Sequence, residues 1–134
     1  MTTLITGAGL VGTSYGQEAL KRGEKLVFVD PLPREDYLRE RLGADGYTVL
    51  REDVRHLPGL VDAIQTHKVD TVLHTAGLIG RRVEQPLHNG MDLNINGAIA
   101  VAEAVRLTGV KRLIHISTFG VYDWRRPAPQ PMDA

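Results

Sequence analysis

The opening "MTTLITGAGLVG" sets Gly7, Gly9 and Gly12 in G-x-G-x-x-G spacing. The flanks constrain the chain more than the glycines do. "TTLIT" reads as a buried strand, and "LVGTSYGQEALKRG" reads as a helix on which Leu10, Val11, Ala19 and Leu20 share a face, with Gly23 as its stop. A strand that turns on glycine directly into a helix is the first half of a βαβ unit. In such a turn the first glycine makes the bend, the second lets the backbone approach a pyrophosphate, and the third lets helix and strand pack closely. The N–H groups of Leu10 and Val11, at the helix start, then point at the phosphates with the helix dipole behind them. A glycine-rich turn that binds nothing is the plainer alternative, and the strand–turn–helix context weighs against it.

The same alternation continues. "KLVFVD" (25–30), "YTVLRED" (47–53), "VDTVLHTAG" (69–77) and "KRLIHIST" (111–118) read as strands. "REDYLRERLG", "PGLVDAIQTH" (with Pro58 near its start) and "MDLNINGAIAVAEAVRLTG" read as helices, and a loop is expected between Gly80 and Gly90. Strands alternating with helices imply a parallel α/β sheet. Right-handed crossovers with a change of winding direction after the third strand give five strands in the order 3-2-1-4-5, a Rossmann-type doubly wound sheet with helices on both faces. Residues 1–122 are expected to form this domain. Residues 123–134, with three prolines in "WRRPAPQPMDA", read as a loop or frayed tail.

Composition narrows the function. Of 134 residues, 43% are hydrophobic, enough for one core. Sixteen basic and sixteen acidic residues cancel, which argues against a nucleic-acid or membrane-surface binder. No cysteine is present, so neither disulfides nor a thiolate metal site is expected. The N-terminus lacks the cationic start of a secretory leader and no apolar run is long enough to span a bilayer, so a cytoplasmic protein is expected. His56, His67, His74, His88 and His115 show no metal-ligand spacing, and His74 and His115 fall on adjacent strands as core-edge residues.

Asp30 closes the second strand eighteen residues after Gly12. A carboxylate there accepts hydrogen bonds from the adenosine ribose hydroxyls and repels a 2′-phosphate, which favours NAD over NADP. Arg34, nearby, is the residue that could offset it. Arg81 and Arg82 face the carboxyl ends of the sheet, where open α/β folds bind ligands, and are candidates for substrate phosphates; a solvated basic loop explains them equally well.

Four further stretches, with the cradle, resemble the extended short-chain dehydrogenase/reductase family, the NAD-dependent sugar epimerases and dehydratases. "EDVR" resembles the segment after the third strand and implies that Asp53 meets the adenine with Val54 supporting the ring. "VLHTAG" resembles the fourth-strand motif and implies that Thr75, Ala76 and Gly77 line the ribose and nicotinamide side. "LNINGAIAVAEAVRLTGVKR" resembles the family's long helix, with Asn94 at its characteristic asparagine. "HISTFGVYD" resembles the fifth-strand motif, with Ser117 beside the cofactor and Thr118 at the catalytic Ser/Thr position. The resemblance implies hydride transfer on a nucleotide-sugar-like substrate, with Thr118 orienting the substrate oxygen.

Three departures stand out. The family has one more residue between its first two glycines, and Asp123 replaces a common glycine after Tyr122. The family's Tyr-x-x-x-Lys pair is missing: Tyr15, Tyr37, Tyr47 and Tyr122 have no lysine four residues on. The chain therefore reads as the cofactor-binding part of such an enzyme, inactive as given, with the substrate domain outside it. A non-catalytic NAD(P)-binding regulator is the alternative; an S-adenosylmethionine enzyme fits "HISTFGVY" and "NINGA" poorly. An open edge on the fifth strand is expected to invite self-association.

Overall fold

A computed structural model of the chain describes residues 1–84 and 86–118. Its elements are β1 (Thr2–Thr6), α1 (Leu10–Lys21), β2 (Lys25–Val29), α2 (Glu35–Leu42), β3 (Tyr47–Leu50), α3 (Leu57–Thr66), β4 (Thr71–His74), α4 (Arg81–Glu84), α5 (Leu87–Thr108) and β5 (Arg112–His115). The strands are parallel and lie in the order β3-β2-β1-β4-β5, as the alternation predicts. The Pro-rich segment and Tyr122 lie outside the described residues.

Side-chain alternation divides the core in two. Leu4, Val27 and Val72 face one way and meet Leu60 and Ile64 of α3 and Val101 and Ala104 of α5. Ile5, Phe28 and Leu73 face the other way and meet Ala19 of α1 and Leu38 of α2. β1 and β2 are buried along nearly their whole length because helices cover both faces.

The expected apolar face of α1 is corrected. Leu10 and Val11 are exposed, and the helix instead buries Gly12, Thr13, Gly16 and Ala19. A Cβ on Gly16 would sit 3.1 Å from the Phe28 ring and 3.2 Å from Leu26. Small residues let α1 lie close on β2, and bulk there would lift the helix from the sheet.

Element ends also differ. β3 stops at Leu50, not Asp53, because Asp53 draws the chain into a turn: its Oδ1 accepts the Arg55 N–H and its carbonyl accepts the His56 N–H. β4 and β5 are likewise shorter than the runs that suggested them. The expected loop between Gly80 and Gly90 instead holds the short helix α4 and the first turn of α5, which enters through Pro86. Gly90 permits this, since a Cβ there would stand 2.5 Å from the Val83 carbonyl oxygen. α5 ends at Gly109, which takes the left-handed conformation (φ 71°) of a helix stop.

Candidate functional site

At the carboxyl ends of β1, β2 and β4 the loops diverge around a cleft of about 590 Å³. This is where an open α/β sheet reverses its winding and binds ligands. A second hollow, of about 470 Å³ between α2 and the β3 edge, brings together none of the glycine turn.

The glycine turn forms the floor of the cleft. Gly7 has φ 86°, a left-handed conformation that favours glycine, and its N–H donates to the Val29 carbonyl at 2.8 Å. Gly12 lies behind it, where a Cβ would come within 2.4 Å of the Gly7 oxygen, so the third glycine serves helix–strand packing. Gly9 is different. As the N-cap of α1 it has φ −88°, open to any residue, and a Cβ on it would meet no atom of the described residues within 4 Å. Nothing among the described residues requires glycine there. The space its hydrogen leaves lies in the cleft, at the positive end of a twelve-residue helix.

Asp30 holds the turn from the side. Its Oδ2 accepts the Ala8 N–H and its Oδ1 the Leu32 N–H, each at 2.9 Å. Arg34 also borders the cleft, with its guanidinium over the Tyr37 ring, 4.5 Å from the centroid. Across from Asp30 lie Asp53 and Val54. Val54 is only 2% exposed and packs on Gly97 of α5. Asp53 is gripped by Arg55, whose Nε and Nη2 donate to its two oxygens at 3.0 and 2.6 Å; the guanidinium holds this carboxyl below its ordinary range.

The segment after β4 forms the far wall. The Thr75 hydroxyl donates to the Thr6 carbonyl at 2.7 Å, fastening the wall to the first glycine turn. Ala76 and Gly77 follow along the cleft. Asn94 lies behind them: its Oδ1 accepts the Leu78 N–H at 2.8 Å and its Nδ2 donates to the Leu78 carbonyl at 2.9 Å. Both ends of this amide grip the wall backbone, while the neighbouring Leu93 borders the cleft.

The structure thus brings Gly7, Gly9, Leu10 and Asp30 to the cleft with Asp53 and Val54, and Thr75, Ala76 and Gly77 to its opposite side. Arg82 reaches it from α4, not from a loop; Arg81, on the same helix, is not among its lining residues. Val11 and Gly12 stand in the first turn of α1, outside the lining. Ser117 and Thr118 follow β5 at the surface and do not border the cleft. Sequence reasoning missed Ala8, Leu32, Leu78 and Leu93. Ala8 and Leu78 act through backbone N–H groups, which any residue supplies, so residue type carried no signal.

Below the wall, His74 is 3% exposed, with Nδ1 2.6 Å from the Thr6 hydroxyl and its ring stacked on His115, 5.2 Å between centroids. Burial first, and the charge of His115 second, push its pKa down to about 4. Thr6 Oγ1 also accepts the Ala76 N–H at 3.4 Å, so one hydroxyl joins the wall backbone to the imidazole. Among the described residues, no group of three His, Asp or Glu side chains is placed to hold a metal ion. No helix among them is long and apolar enough to cross a membrane.

This geometry has known counterparts. A UDP-glucose 4-epimerase of Klebsiella pneumoniae is 32% identical over 129 residues, covering 91% of this chain and 92% of that protein. A UDP-glucose 4-epimerase of Erwinia amylovora is 31% identical over 136 residues, covering 96% of this chain but only 40% of its own length. Among solved structures, a UDP-glucose 4-epimerase from Stenotrophomonas maltophila with bound NAD and formylated UDP-arabinopyranose superposes with a TM-score of 0.80 at 29% identity, over 90% of this chain and 38% of that one. The Bifidobacterium longum UDP-glucose 4-epimerase in complex with NAD+ and UDP gives 0.79 at 25% identity, over 91% and 38%. The chain therefore spans about two fifths of the longer relatives it matches. The sequence profile of the NAD dependent epimerase/dehydratase family matches residues 3–134, and with the sheet order and the glycine turn it places this chain in that family.

Proposed function

We propose that this chain is the NAD-binding portion of an enzyme that acts on a nucleotide sugar by hydride transfer, as an epimerase, dehydratase or reductase. The observation that carries the reading is Gly9. Among the described residues its glycine identity answers to no backbone strain and no neighbour, only to the cleft at a helix N-terminus. A pyrophosphate is the group that needs both bare backbone and a positive helix end.

The other residues fit the same ligand. Gly7 and Gly12 shape the turn, and the N–H groups of Leu10 and Val11 receive the phosphates. Asp30 accepts the ribose hydroxyls; with its carboxylate beside the turn, NAD is preferred to NADP. Asp53 takes the adenine edge, with Val54 beneath it. Thr75, Ala76 and Gly77 border the nicotinamide side, with Asn94 holding that wall in place. Arg82, and with it Arg81, is suited to substrate phosphate. Bound NAD supplies a hydride acceptor. Ser117 and Thr118 follow β5 outside the cleft lining, and in this reading Ser117 meets the cofactor's exposed edge and Thr118 orients a substrate oxygen. A Tyr-x-x-x-Lys pair would supply the base, and these 134 residues contain none. In this reading that pair takes the proton from the sugar hydroxyl, so the chain as given binds cofactor without turnover.

Calorimetric titration with NAD tests the reading. Binding is expected for the wild-type chain, weakened by about tenfold or more in Gly9→Ala, with an unchanged melting temperature. Tight binding of S-adenosylmethionine in place of NAD would overturn it. Steady NADH production by the pure chain with a nucleotide sugar would overturn the claim of inactivity.

A further inference from the structure

The Asp53 carboxylate borders the cleft with its side chain 31% exposed, yet most of its accepting capacity is already used. Oδ1 takes the Arg55 main-chain N–H at 2.9 Å and Arg55 Nε at 3.0 Å, and Oδ2 takes Nη2 at 2.6 Å. A carboxylate has about four lone-pair sites, so one remains, on Oδ2. The same guanidinium is anchored on α5. Its Nη1 donates to Asp92 Oδ2 at 2.7 Å and to Asn89 Oδ1 at 3.1 Å, and Asp92 Oδ1 accepts Asn96 Nδ2 at 2.6 Å. The Asp53 N–H is held separately by Glu52 Oε1 at 2.8 Å. A turn residue at the cleft edge is thereby fixed in plane, direction and charge by a fork tied to the longest helix.

We propose that Arg55 is a positioning residue that sets Asp53 as a reader of the purine 6-position, leaving it one acceptor site and no donor. Such a group takes a 6-amino purine; held by the fork so that it cannot turn to the neighbouring N1–H, it refuses a 6-oxo purine, because two acceptors facing each other are left desolvated and unpaired. The inference rests on the NAD reading above and adds what gives the adenine end its selectivity. Without Arg55, Asp53 turns toward water, and Asp53 and Asp92 face each other without the cation between them.

The test is calorimetric titration of the chain with NAD and with nicotinamide hypoxanthine dinucleotide, which differ at that position. The wild type is expected to prefer NAD by about tenfold or more. In Arg55→Met, NAD binding falls by about tenfold while the hypoxanthine analogue changes by less than about threefold, so the preference collapses. Arg55→Lys, which keeps the charge but not the fork, recovers part of it. Asp92→Asn, which removes only the α5 anchor's charge and keeps the chain assayable if Arg55→Met fails to fold, lowers the preference by about threefold. Equal weakening of both ligands, or an unchanged preference in Asp92→Asn, would make Arg55 a structural staple and overturn the proposal. A wild-type chain that binds NAD without preferring it overturns this inference alone; a wild-type chain that binds neither dinucleotide overturns the cofactor reading as well.

Discussion

Acid should loosen this protein through His74 before its carboxylates titrate. The residue ends β4, opposite Thr6 of β1 on one side and His115 of β5 on the other. It is 3% exposed, its Nδ1 meets the Thr6 hydroxyl, and its ring stacks on a second imidazole. Among the described residues no acidic side chain offsets a proton there, and the pKa falls from 6.5 to about 4. A histidine depressed in the folded state is protonated first in the unfolded chain. Stability is therefore full above about pH 6.5 and is lost as the pH falls toward 4, below which both states carry the proton. At 1.36 kcal/mol per unit, the whole loss is about 3 kcal/mol, a large share of the roughly 5–15 kcal/mol of a typical domain. Urea denaturation between pH 7.5 and 4 measures it, with His74→Asn as the reference. Asparagine keeps a hydrogen-bonding amide near the position of Nδ1 and does not titrate. The two proteins share every carboxylate, so those contributions cancel in the difference. Wild type should lose about 3 kcal/mol more than the variant by pH 4. Parallel pH profiles would refute the argument and mean that the pocket admits the proton or enough water to solvate it.

Gly12→Ala should lower stability by about 1–3 kcal/mol as well as weaken NAD binding, because the new methyl falls 2.4 Å from the Gly7 oxygen and 3.0 Å from Ile5 Cγ2; a variant as stable as wild type in thermal melts would contradict this. Its contrast with Gly9→Ala, which should lose binding alone, separates packing from the proposed binding at the two glycines. Among the described residues β5 pairs only with β4, and Leu113 and Ile116 near this edge are 38% and 45% exposed. Sedimentation velocity should detect concentration-dependent association that Leu113→Lys reduces; a monomer at every concentration tested would count against an edge-driven contact.

The strand order, the five strands and the helices other than α4 were legible because each of these elements carries its own period. "LITGAG" and "VLHTAG" are too short and apolar for a surface helix, and "REDYLRERLG" is too charged for a strand. The glycine turn and Asp30 were legible because backbone geometry and charge at those positions admit few residue types. The ends of elements were not. Asp53 closes a turn with its own side chain, where the apolar pattern alone carried β3 onward, and Gly90 lies inside a helix because Val83 crosses it closely. The face of α1 was misjudged because a helix pressed onto a sheet buries its small residues and leaves Leu10 and Val11 outside.

Local pattern thus decided which residues become strand, helix or turn, and where the glycine turn falls, because hydrophobic period and glycine spacing act over a few residues. Only the folded chain decided what the polar side chains do. Asn94 is sixteen residues from the Leu78 backbone it grips, Arg55 joins a turn to a helix through Asp92, and His74 loses its charge because two other strands enclose it. Hydrogen bonds and desolvation depend on neighbours brought together across the sheet, and a linear pattern does not record them.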